Sequence, residues 1–339
     1  MKKILFSILA MAAMAACATD EPIALNREAI QFGNAFVDNS VRGAVDPSYG
    51  TAKALDSIVV YGAVNNVNIY NGVAIKGTLG AAVWNFVGTV PTQYWIDGAN
   101  YVFDAVVDAT SVEQNSATLL PVSLHYTAST QKDMLHKRVT CTGKINATGV
   151  VPFTFTHLLS KVKFTVENTT ASTATGYQYT ITDITLTNAY KEGDYAVPSV
   201  AAVTANPDAV GTWTSLVPDG THTIADMTVA SATTAECAQE VLLIPGAKVG
   251  ITFNVIVQMK KGTNWVDIVT YEKKYLPADV NVTLEANKAY NFKVTLGLDE
   301  PIQFTATEMN AWENGNTHDS NDADDVKDNV PVPTPTPSN

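Results

Sequence analysis

Histidine and cysteine are scarce in this chain, five and three among 339 residues. The histidines (His125, His136, His157, His222 and His318) form neither HExxH nor another close metal-binding pair. A GxSxG elbow and a Walker phosphate loop are missing as well. With no nameable acid/base pair, neither an enzyme nor a cofactor is expected. Basic charge is in short supply, 21 Lys and Arg against 33 Asp and Glu. Such a chain repels nucleic acid and anionic lipid. The one long apolar run, residues 4–14, is shorter than the ~20 residues a membrane span needs. Capped amphipathic helix patterns longer than about two turns are absent. The acidic run at Asp319, Asp322, Asp324 and Asp325 lacks calcium-loop spacing and a closing Glu, so it reads as solvated charge.

What is present begins with a leader. Lys2 and Lys3 precede the apolar run, which ends in Met14-Ala15-Ala16-Cys17. Small residues before a cut suit a signal peptidase. A cysteine directly after them resembles a bacterial lipobox, in which the thiol is acylated before cleavage. Residues 1–16 are therefore expected to leave and Cys17 to carry lipid; an ordinary signal peptide with a chance cysteine is the alternative. Ala18-Thr19-Asp20-Glu21 resembles the export signal of Bacteroidetes surface lipoproteins. Losing Lys2 and Lys3 leaves 19 basic against 33 acidic residues, a mature charge of −14. Cys141 and Cys237 could pair in an oxidising compartment; two buried thiols are the simpler reading.

Strand signals dominate the rest. Ser57-Ile58-Val59-Val60-Tyr61 is β-branched and ends at Gly62. Val162, Phe164 and Val166 alternate with Lys161, Lys163 and Thr165, which predicts one apolar and one wet face. Ile251, Phe253, Val255, Val257 and Met259 share that period, as do Tyr290, Phe292, Val294 and Leu296. A phase slip near Thr182-Asp183 predicts a bulge. Asn71-Gly72, Asp97-Gly98, Asp219-Gly220 and Lys261-Gly262 predict hairpins or loops. Many short strands with frequent turns predict sandwiches. The small-residue stretch before Phe153 suggests a boundary near Val150, giving sandwiches over residues 45–150 and 151–312. Residues 313–339, acidic and then Pro-rich at Pro331, Pro333, Pro335 and Pro337, predict a disordered or extended tail.

Two groups need weighing. His157 shares a face with Phe153 and Phe155 and is expected to be a hydrogen-bonded core residue. Trp84, Tyr94, Trp95 and Tyr101 could form a sugar-stacking platform, but core packing is the expectation for each.

Several segments together resemble the fimbrillin family, the type V pilins of Bacteroidales related to the FimA and Mfa subunits. Phe153-Thr154-Phe155-Thr156-His157-Leu158-Leu159-Ser160-Lys161-Val162 is similar to its F-x-H-x-x-[SA]-K-V strand. Leu242-Leu243-Ile244-Pro245-Gly246, Ala286-Asn287-Lys288-Ala289-Tyr290, and Ile302-Gln303-Phe304 with Trp312 resemble further segments in the same order. Ile30-Gln31-Phe32 and Val41-Arg42-Gly43 look like its first strand and arginine processing site. The resemblance implies two transthyretin-like β-sandwich domains in tandem. It implies a precursor lipid-anchored to the outer membrane through Cys17, with residues 17–44 forming an N-terminal segment. A trypsin-like protease would cut between Arg42 and Gly43 and free the removable strand carrying Ile30 and Phe32. The opened groove would take a strand from another pilin subunit, building a head-to-tail fimbrium that serves adhesion. Arg27 lies before that strand, so a cut there would open nothing. As a donor, the tail is poor because prolines interrupt Val330 and Val332; residues 302–312 are better strand material. The competing expectation is a surface glycan-binding lipoprotein of the starch-utilisation type, which would expose a flat aromatic platform.

Overall fold

The β-branched, alternating runs do form strands, and the architecture is all-β. A computed structural model describes residues 28–37, 58–77, 82–170, 176–230, 232–236, 240–297 and 301–309. Cys17, Arg42, Gly43, Cys237, Trp312 and the acidic Pro-rich segment lie outside these residues. The first strands are β1 (Gln31–Val37), β2 (Ile58–Val64), β3 (Val67–Lys76), β4 (Asn85–Phe86) and β5 (Asn100–Val107). Next come β6 (Ser111–Gln114), β7 (Pro121–Thr127), β8 (Leu135–Thr142), β9 (Val150–His157) and β10 (Ser160–Asn168). β11 (Tyr177–Ala189) and β12 (Glu192–Ala196) precede the short helix α1 (Val200–Ala205), then β13 (Thr212–Val217) and β14 (Gly220–Ile224). β15 (Met227–Ala230), β16 (Thr233–Glu236), β17 (Val241–Leu243), β18 (Gly250–Lys261) and β19 (Asn264–Tyr275) follow. One helical turn, α2 (Pro277–Val280), then leads to β20 (Ala289–Leu296) and β21 (Gln303–Met309). No helix among the described residues is long and apolar enough to cross a membrane.

A seven-stranded sheet runs β1-β9-β8-β5-β2-β3-β4. Its two edges meet, because the Trp84 N–H beside β4 donates to the Phe32 carbonyl at 2.7 Å. The concave face holds a core that includes Ile30, Phe32, Tyr70, Trp84, Phe103, Phe153 and Phe155. The opposite face packs through Tyr61, Ala63, Val102 and Val106 on the four-stranded sheet β13-β12-β7-β6. The middle strand β5 is thus buried on both faces, which explains its nearly unbroken apolar run. The last sheets, β16-β10-β20-β21 and β14-β11-β18-β19, form a sandwich around Phe164, Phe253, Phe292 and their neighbours.

β9 pairs with β1 and β8, so the change from first to last sheets falls between His157 and Ser160, one strand beyond Val150. In the other direction, β12 and β13 join the sheet of β6 and β7. The bulge at Thr182-Asp183 is present, as a register shift with Asp183 at φ +55°. Three local expectations need correction. Asn71-Gly72 is a bulge inside β3, with Gly72 at φ +66°, and does not turn the chain. Lys161, Lys163 and Thr165 are buried, because β10 is flanked on both sides and Lys161 reaches Glu240 at 3.4 Å. Met259 ends its alternating run exposed, where the β18–β19 hairpin projects past the core.

Candidate functional site

The site is the first strand and the seat that holds it. Alternation in Ala29-Ile30-Gln31-Phe32 turns Ile30 and Phe32 into the core and Gln31 to solvent. Both predicted strand residues therefore sit together on one buried face, 2% and 1% exposed. Phe32 fills an aromatic slot. Its ring stacks on Phe153 with centroids 5.8 Å apart and meets Tyr70, Phe103 and Phe86 edge-on at 5.4, 5.6 and 5.9 Å. Burial pushes the Tyr70 hydroxyl well above the ordinary tyrosine range, the mark of a dry seat.

The backbone is bonded along β9 on one edge and at residues 28–32 on the other. On one side it runs parallel to β9, from Gln31 opposite Val150 to Val37 opposite Phe155, with a register shift between Gly33 and Phe36. On the other side Ile30 N–H donates to Gln93 O at 2.8 Å, and Trp95 N–H donates to Glu28 O at 3.0 Å. Trp95 also donates its ring N–H to Gly149 O at 3.1 Å, and Lys144 pairs with Glu28. That last pair is half-exposed and contributes about 0–1 kcal/mol. Apolar filling, the β9 ladder and the bridges at residues 28–32 hold the strand; charge adds little.

Sequence reasoning missed Gly33 and Ala35, both buried in the same strand. A glycine inside a strand pattern was the available signal, since it often marks close backbone approach. A Cβ at Gly33 would stand 2.0 Å from the Ala82 carbonyl oxygen.

His157 is 1% exposed and bonded through Nδ1 to Asp133 Oδ2 at 2.5 Å, the expected core role. Trp84, Trp95 and Tyr101 are buried as expected; Tyr94, 43% exposed, is the exception. Cys141 is a half-buried free thiol whose pKa burial pushes up to about 11. A buried ionic cluster had not been foreseen. Asp104, in the centre of β5, accepts from Arg138 Nε at 2.9 Å and Nη2 at 2.9 Å, and lies 2.8 Å from His136 Nε2. Arg138 also donates to Pro121 O and Pro198 O, both at 2.7 Å, tying the large sheet to the layer above it. Among the described residues no group of three or more His, Cys, Asp or Glu could hold a metal ion.

The chain is all-β, and its own N-terminal strand closes the first core. The chain belongs to the Fimbrillin-like family, whose model matches residues 49–312. No curated protein matches it in sequence. Among solved structures it is similar to a protein from Bacteroides uniformis provisionally described as a cell adhesion protein. That likeness has a TM-score of 0.51 and 16% identity, covering 84% of this chain and 98% of that one. A likewise described protein from Bacteroides ovatus gives 0.51 at 17% identity, over 86% and 99%. At these identities the likeness concerns the fold.

Proposed function

We propose that the protein is a fimbrial subunit, exported as a lipoprotein precursor on Cys17 and assembled at the cell surface by strand exchange. A trypsin-like protease cuts between Arg42 and Gly43, and the strand carrying Ile30 and Phe32 leaves its seat. An extended segment of another pilin subunit takes its place, extending a head-to-tail polymer that contributes to adhesion. Until the cut, the lipid on Cys17 holds the precursor at the outer membrane. Family membership supports the fimbrial role. The observation that carries the exchange step is the position of β1. It is an N-terminal strand filling an aromatic slot and bonded along β9, with further bonds at residues 28–32 on its other edge, so its departure would leave apolar surface and unpaired backbone groups. Against the glycan-binding reading, Trp84, Trp95 and Tyr101 are interior and only Tyr94 of that cluster is exposed.

Limited trypsin treatment of the purified precursor tests this. An early cut after Arg42, then loss of β1 and a ladder of oligomers, is the expected course. A product that keeps residues 28–37 bound and stays monomeric would sink the proposal.

A further inference from the structure

The chain uses one tripeptide twice: Ile30-Gln31-Phe32 opens β1 and Ile302-Gln303-Phe304 opens β21. The two are laid down alike. Gln31 and Gln303 face solvent, while Phe32 and Phe304 point into their cores, Phe304 stacking on Tyr275 at 4.6 Å. β21 ends its sheet, paired with β20. A neighbouring copy's β21 would therefore be an obvious impostor for β1, with the right residues for the Ile30 and Phe32 positions.

The next residue separates them. It is Gly33 in β1 and Thr305 in β21. A Cβ at position 33 would lie 2.0 Å from Ala82 O, 2.6 Å from Ala82 C and 3.0 Å from Val150 Cγ1. The nearest obstacle is backbone, so no side-chain rotation relieves it. Ala35, 1% exposed, adds a second small-residue position.

We infer that the β1 seat selects its occupant by shape at successive positions. It takes an extended segment reading apolar-x-aromatic-Gly-x-Ala and refuses this chain's own β21 in the β1 register. The aromatic slot supplies attraction, and the Ala82 carbonyl supplies discrimination, the repulsive element that specificity requires. This rests on the strand-exchange reading and deepens it. The donor is then a segment that carries glycine after its aromatic residue, and growth through a second copy's β21 is blocked at the seat.

Two measurements on the full chain separate the ideas. In the intact protein, Gly33→Ala should lower the unfolding midpoint of the first core by several degrees, while Gln31→Ala leaves it unchanged. Equal midpoints would overturn the inference whatever happens to exchange. In the second, wild-type protein cut with trypsin is mixed with labelled synthetic peptides. These are residues 28–37, the same peptide with Gly33→Thr, and residues 301–309. Uptake of the first should exceed that of the other two by at least about tenfold, from the cost of overpacking. Comparable uptake of the Gly33→Thr or 301–309 peptide overturns the selectivity. If even the 28–37 peptide is refused, strand exchange falls, and the Gly33→Ala midpoint alone decides whether the seat is closed to a Cβ.

Discussion

Phe32→Ala removes a side chain that touches four other rings of the first core. A buried Phe truncated to Ala costs about 3–5 kcal/mol, and the upper half applies where neighbours cannot collapse into the space. Here Phe153, Tyr70, Phe103 and Phe86 sit on separate strands, each held by its own ladder, so little collapse is available. At about 2–4 °C per kcal/mol, the upper half of that range has the first core melting roughly 8–20 °C earlier. Near-ultraviolet circular dichroism and tryptophan fluorescence report this core directly, because Trp84 and Trp95 line it. Phe304→Ala, in the other sandwich, is the control and should leave the Trp84 and Trp95 signals in place. The variant should also lose β1 faster once the chain is cut. A shift under about 1 kcal/mol, or equal loss of signal with Phe304→Ala, would refute the claim that Phe32 is the keystone of a separate core.

Other outcomes follow from the same geometry. Asp104→Ala leaves Arg138 buried without its carboxylate and should cost about 3–5 kcal/mol by denaturant titration. Cys141 should react with a disulfide reagent at pH 8 about tenfold more slowly than an open thiol. Its thiolate fraction falls about a hundredfold with a pKa near 11, while intrinsic nucleophilicity recovers about tenfold. The hydrogen bond from His125 holds the Asp194 carboxyl below its ordinary range. Its contribution is therefore present above the unfolded carboxylate pKa and fades as pH falls through the folded one. Both side chains are about a third exposed, so Asp194→Asn should flatten the acid limb of the stability curve only slightly. Gln131→Ala strips both side-chain bonds to the Leu242 backbone, 2.9 and 3.0 Å, that bind β17 to the first half, and should cost about 1–3 kcal/mol.

Much of this was legible in the residues. Period-two runs such as Ile251, Phe253 and Val255 are buried as alternation requires, and the slip at Thr182-Asp183 is a real bulge. Ile30 and Phe32 stood out through the likeness of Ile30-Gln31-Phe32 to a fimbrillin first strand, and both are buried. What escaped depended on neighbours distant in sequence. Lys161 and Lys163 look wet until β17 and β20 close around β10. Asp104 looks misplaced in an apolar strand until Arg138, 34 residues on, supplies its partner. Gly33 has meaning only because the chain at Ala82 crosses over it, and local propensity holds no trace of that crossing. Asn71-Gly72 misled because the same positive φ that makes a hairpin turn also makes a bulge.

The parallel run of β1 along β9 also has a mechanical meaning. The strand lies bonded along β9, and at residues 28–32 also to the Trp84–Trp95 segment. Tension applied along its axis loads those bonds in shear, all together, whereas a pull across an edge would unzip them one by one. Forced detachment is governed by the height of the barrier to opening. The seat that closes the first core is thereby also a joint suited to bearing load along the strand it holds.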